Sequence, residues 1–405
     1  MYGYHCFKVV ICATYMSSMN ALEKKSAAAI AFMIALRMYG LFLILPVFSV
    51  YGAEITGATP FLLGLAMGVY GLTQAILQIP MGFLSDIWGR KKVITLGLVM
   101  FFLGSVIAAL AQDIWMIVLG RLIQGMGAVA STGMALIADV SRPEQRGKIM
   151  GIVGSSIGLS FMLAFITGPI LANYFGLSGL FWFTALLAAF ALLVLLLLIE
   201  EPKKLKHRDY KFIELIHCVK QKELVFMDMG IFALHAGMTG LFLVLPLILI
   251  NQYGLSLESH WKLYLPVLFA SLFIMVPMII RQEKNKKHIP FMLFSFLMMS
   301  FNFIFLSLDI GNLYVMALSL VVYFGLFNFL EAAMPAMLSK IANEKYRGAA
   351  MGVFSSSEFF GAFVGGAVSG WLMSYSMDWV FYALFAMLLL LTVIGSLILN
   401  KSSQS

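Results

Sequence analysis

The stretch Arg146–Ser156, RGKIMGIVGSS, recurs as RGAAMGVFSSS at Arg347–Ser357, 201 residues further on. A second pair keeps nearly the same offset: GLFLILP at Gly40–Pro46 returns as GLFLVLP at Gly240–Pro246, 200 residues on. Two matches in one order at one spacing mean that a whole unit is present twice. The fold must therefore be two copies of one module, joined in tandem.

Composition says what the module is made of. Of 405 residues, 61% are hydrophobic and 11% charged, and the mean hydropathy is +0.95. A soluble chain of this size could not cover its surface with so few charges, so lipid is the solvent for most of it. A helix needs about 20 apolar residues to cross a bilayer. Such runs occur at 27–50, 60–84, 93–111, 114–138, 148–172 and 178–199, then at 224–250, 261–280, 289–308, 312–339, 348–374 and 378–399. The expected fold is an all-α membrane protein, twelve transmembrane helices in two pseudo-symmetric six-helix bundles. Six is even, so both bundles enter the membrane in one orientation, as parallel repeats must.

The domains expected are an N-terminal extension (1–26), a first bundle (27–199), a linker (200–223), a second bundle (224–399) and a tail (400–405). The segment before Lys24 is too short to span and lacks a small-residue cleavage site. It reads as a cytoplasmic extension, with Met19 a second candidate start. In the linker, Phe212, Leu215, Ile216 and Val219 recur at helical spacing among Lys and His, predicting an amphipathic helix on the membrane surface.

Cations set the orientation. Twenty-four of the 27 Lys and Arg fall before span 1, in the even-numbered loops or in the tail. This asymmetry puts both termini in the cytoplasm of a multi-pass inner (plasma) membrane protein. Scattered over short loops, the net charge of +8 builds no basic face, and nucleic acid is not a partner. Cys6, Cys12 and Cys218 lack metal-ligand spacing, so no metal and no cofactor is expected. No GxxxxGK[ST] loop is present for ATP.

The loop after span 2 reads Gly82-Phe83-Leu84-Ser85-Asp86-Ile87-Trp88-Gly89-Arg90-Lys91-Lys92, and span 4 contains Arg121-Leu122-Ile123-Gln124-Gly125. Both resemble signature motifs of the major facilitator superfamily, with Ile87 where a basic residue is usual. Stretches around both motifs resemble more closely a bacterial subgroup that usually carries a soluble domain after the twelfth span; here the chain stops at Ser405, and regulation by such a domain is not expected. Gly82 and Gly89 allow a tight turn, and Asp86, Arg90 and Asp139 lie at one membrane depth. The expectation is a charge cluster latching the two halves shut on the cytoplasmic side. The resemblance implies the same, with the latch holding an outward-open state. The competing reading is that Arg90, Lys91 and Lys92 only orient the chain.

Charges inside spans cost about 2.5–3.5 kcal/mol each and so mark function or pairing. Arg37 and Arg121 lie in the first half, Glu331 and Glu358 in the second, which suits partners meeting across a central cavity. Glu331, Glu358 and His235 are candidate proton carriers; ion pairs or packed polar residues are the alternative. The resemblance associates Arg121 with proton coupling. Tyr39, Gln74, Gln78, Gln124, Tyr323 and Asn328, with Arg37, could line a substrate path or serve as interhelical hydrogen bonds. Span 5 carries Gly168-Pro169, part of an exporter-like motif that lacks several glycines.

These readings converge on a proton-coupled secondary transporter exporting a small amphipathic or hydrophobic solute. The proton gradient supplies the energy, and the protein works as a monomer in the bilayer. An uncoupled facilitator, an importer and a transport-inactive sensor or scaffold are the alternatives. No nucleophile, metal or paired-acid constellation suggests an enzyme.

Overall fold

A computed structural model of the chain describes residues 19–201, 221–308, 311–343 and 347–400. The predicted amphipathic linker helix and most of the N-terminal extension lie outside these residues.

Span 1 is Ala21–Leu43, span 2 Pro60–Trp88 and span 3 Arg90–Ala109. Span 4 comes in two pieces, Ile114–Gly125 and Ala130–Val140. Spans 5 and 6 lie within one continuous segment, Pro143–Leu198. At 56 residues it would be about 80 Å long if straight, far more than a bilayer needs. The chain reverses at Gly176, whose φ of +64° favours glycine. The second half follows as Lys222–Asn251 (span 7), His260–Asn285 (8), His288–Ser307 (9), Leu313–Ile341 (10), Arg347–Met373 (11) and Met377–Asn400 (12).

Span 1 begins six residues before the apolar run because Asn20 caps it. Asn20 Oδ1 accepts from Glu23 N (2.8 Å) and Glu23 Oε2 accepts from Asn20 N (3.0 Å), a reciprocal capping box. Glu23 also accepts from Arg142 Nε (2.8 Å), tying span 1 to the loop before span 5.

The side carrying Arg90–Lys92, Arg142 and Lys284–Lys287 is called here the basic side. On the opposite side the two halves are pressed together. A methyl group at Gly64 would strike Gly366 and Gly370 of span 11; one at Gly68 or Gly71 would strike the carbonyl of Phe363 or Phe359. Beside this contact sits an aromatic plug. Phe165 of span 5 meets Phe242 of span 7 (centroids 4.7 Å), Tyr264 of span 8 (5.7 Å) and Phe324 of span 10 (6.3 Å).

Contacts loosen toward the basic side. A Cβ at Gly147, Gly151, Gly154 or Gly158 of span 5 would meet nothing within 4 Å, and one at Gly352 of span 11 would lie 3.5 Å from Ile79 Cγ1 of span 2. Among the described residues the tightest backbone contacts between the halves thus lie on the opposite side.

Candidate functional site

In the second half three spans converge on one point. His235 of span 7 places Nε2 3.5 Å from Glu358 Oε1 of span 11 and 3.9 Å from Glu331 Oε2 of span 10. Span 11 can approach span 7 this closely because Gly361 and Gly365 lie against the backbone of Phe232 and Ala236. The His235 Nδ1 lies 3.3 Å from the Ile231 carbonyl. A carbonyl can only accept, so Nδ1 carries a hydrogen and Nε2 is left facing the carboxyls. The Glu331 side chain is 42% exposed and that of Glu358 24%.

The expected pairing of first-half arginines with these acids does not occur. Arg37, only 3% exposed, donates through Nη2 to Tyr70 Oη (2.8 Å) and Gly127 O (3.0 Å). Arg121 donates to Gln124 Oε1 (2.9 Å), Ala66 O (3.3 Å) and Met67 O (3.4 Å) and lies 5.0 Å over the Tyr70 ring. Each cation therefore finds its acceptors inside its own half, which removes the need for an acid across the cavity.

The residues of the expected charge cluster meet. Arg90 pairs with Asp86, donates through Nε to Asp139 Oδ2 (2.8 Å) and through Nη1 to Ser85 Oγ (2.5 Å). All four residues belong to the first half. Their mutual bonds brace the ends of spans 2, 3 and 4 against one another. Gly89 adopts φ +105°, and a Cβ on it would crowd Glu201 Oε1 (2.8 Å). Lys91 Nζ donates to Leu196 O and Ile199 O at the end of span 6 (2.9 and 2.8 Å). Lys92 is exposed, and Gly82 packs on Ser131 of span 4.

Of the residues placed on a substrate path, several join spans instead. Gln124 Nε2 donates to Ser105 Oγ (2.7 Å) and Asn328 Nδ2 to Ser271 Oγ (3.2 Å); Tyr39 Oη and Thr167 Oγ1 lie 2.7 Å apart. Tyr323 is wholly buried among Phe303, Phe324 and Phe327. With its amide turned to the orientation that satisfies both ends, Gln74 donates to Gly125 O (2.9 Å) and accepts from Arg37 Nη2 (3.2 Å). Gln78 is fully buried.

One acid escaped notice in the sequence. Asp228 of span 7 is half-buried, with Oδ1 lacking a hydrogen-bond partner among the described residues. It stands seven residues before His235 on the same helical face, and that spacing is the signal that could have found it.

Comparison with known proteins agrees with this architecture. The profile of the Major Facilitator Superfamily matches residues 30–330 and 285–404. An uncharacterized transporter of Buchnera aphidicola is 37% identical over 361 residues, 86% of this chain and 90% of that protein. The inner membrane transport protein YajR of Escherichia coli is 36% identical, over 86% of this chain and 78% of that protein. The quinolone resistance protein NorA of Staphylococcus aureus is 27% identical, over 87% and 91%. Among solved structures, a D-xylose-proton symporter superposes with a TM-score of 0.76 at 17% identity, covering 93% of this chain and 97% of that one. An inward-facing bacterial homologue of the lysosomal transporter Spinster gives 0.74 at 15%, covering 96% and 98%. Two tandem six-span bundles, with relatives this similar over most of their length, place the chain in the Major Facilitator Superfamily of membrane transporters, which are not enzymes.

Proposed function

We propose that this chain is a proton-coupled exporter of a small amphipathic or hydrophobic solute, working by alternating access in the inner membrane. The basic side is the cytoplasmic side by the distribution of Lys and Arg, which makes the described conformation inward-facing. The convergence of His235, Glu331 and Glu358 from three spans, with both carboxyl side chains partly exposed, carries this reading. Three titratable groups in contact, within reach of solvent from one side, can bind protons in one conformation and release them in the other. A proton moving down the gradient supplies about 2.3 kcal/mol per 100 mV. The name of NorA, a quinolone resistance protein, supports outward movement of a small organic solute.

The test is uptake of a fluoroquinolone into everted membrane vesicles. We expect accumulation that requires an inside-acid gradient and is lost on its collapse. Accumulation indifferent to the gradient would identify an uncoupled facilitator, and the proton trio would have no role.

A further inference from the structure

Span 4 is broken inside the membrane at residues 126–129, between Ile114–Gly125 and Ala130–Val140. Non-helical backbone at this depth must have its carbonyls satisfied by protein. Gly125 and Gly127 let the break press against span 2 at Tyr70 and span 3 at Gly97. Two side chains fill the open acceptors. Arg37 Nη2 donates to Gly127 O (3.0 Å), and Gln74 donates to Gly125 O (2.9 Å). The costly membrane cation of span 1 is thus the patch on the broken helix of span 4.

The patch is incomplete. Tyr70, Gln74 and Gln78 stand at successive turns on one face of span 2. Arg37 holds the first two. Gln78, one turn nearer the basic side and fully buried, has neither its amide nitrogen nor its oxygen bonded among the described residues. Arg37 Nε is also without a partner. A buried donor and a buried acceptor, both unmet and carried by neighbouring positions on adjoining spans, describe a bond belonging to another conformation.

Resting on the alternating-access reading above, we propose that Arg37 is a two-position switch. In this inward-facing state it holds Gly127 O, Gln74 and Tyr70 while span 4 is broken. In the outward-facing state it moves one turn down span 2 to Gln78, a step of the size that bistable packed helices make. Gly127 O is then released to the amide of Ser131, four residues on, and span 4 becomes continuous. The basic-side piece of span 4 would not move alone. Ser131 Oγ bonds Gln78 O (2.8 Å), Thr132 Oγ1 bonds Met81 O (3.4 Å) and Asp139 holds Arg90. Pro80, which interrupts the hydrogen bonding of span 2, lies at the same level, so the ends of spans 2 and 4 swing together.

Two substitutions of Gln78 test the switch, read by spin-label distances across the basic side. Trp88→Cys and Lys340→Cys, both exposed, carry the labels in full-length protein whose three cysteines are replaced by serine. Gln78→Leu removes only the outward-state partner. It should lower the basic-side-closed fraction about fivefold or more, with the melting temperature unchanged or raised. Gln78→Glu offers Arg37 a charged acceptor and should raise the closed fraction by a similar factor. Shifts in the same direction, no shift in either variant, or a fall in melting temperature with Gln78→Leu each overturn the switch while leaving alternating access standing. A single native distance that neither variant nor pH moves overturns alternating access, and the switch with it.

Discussion

Gly64 of span 2 and Gly366 of span 11 meet backbone to backbone across the two halves of the molecule. No side chain separates them, so closure of the non-basic side depends on the lack of a Cβ at these positions.

Gly366→Val should therefore open that side. Forcing methyl groups into a close contact costs about 1–3 kcal/mol, and 1.4 kcal/mol is a tenfold change in a population. Spin labels at Ala53→Cys and Ser256→Cys, both exposed on the closed side, should show a longer distance in the variant. An unchanged distribution would mean that the helices separate elsewhere at no cost.

Breaking the Arg90 cluster should unfold the first half before it affects gating. Arg90 and Asp139 are almost wholly buried, and removing one partner of such a pair costs about 3–5 kcal/mol. Asp139→Asn is expected to lower the melting temperature of the purified protein steeply. Arg90→Lys should not rescue it, because a single ammonium cannot span Asp86, Asp139 and Ser85 at once. A melting temperature equal to that of the native protein would show the cluster to be ornamental for stability.

The architecture was legible because the bilayer imposes one length and one polarity on every span. Hydropathy found all twelve, the repeat supplied the symmetry, the price of membrane charge singled out Glu331 and Glu358, and the titration range of histidine added His235. Their contact was not legible: it depends on the rotation of three separate helices, which no one-dimensional pattern records. Arg37 and Arg121 misled for a related reason. Charge suggested an acid as partner, whereas their acceptors are Tyr70, Gln124 and backbone carbonyls of neighbouring spans. The break in span 4 left only Gly125 and Gly127 as clues, since a weak helix propensity decides little where packing decides the rest. The capping box of Asn20 and Glu23 could have been read, but the apolar count began too late to include it.

Glu358→Gln should separate proton coupling from solute movement. The variant keeps the shape of the trio but cannot ionise, so it cannot bind and release a proton there. We expect gradient-driven uptake into vesicles to fall at least about tenfold, as for loss of an essential proton carrier. Exchange of labelled for unlabelled solute at equal pH should persist. Gradient-driven uptake at the native rate would remove Glu358 from the coupling path.

Phe165→Ala should make the closed side leak. The ring of Phe165 touches Phe161, Phe242, Tyr264 and Phe324, three of them in the other half. Emptying such a position costs about 3–5 kcal/mol, and here much of the loss falls on the three contacts that join the halves. The global fold should survive, because each bundle keeps its own core. Liposomes holding a pH-sensitive dye should lose an imposed proton gradient faster with the variant than with native protein. Phe165→Leu, which keeps most of the volume, should leak less than the alanine form. The order native, leucine, alanine is the informative result, because a merely unfolded variant would leak irrespective of side-chain size.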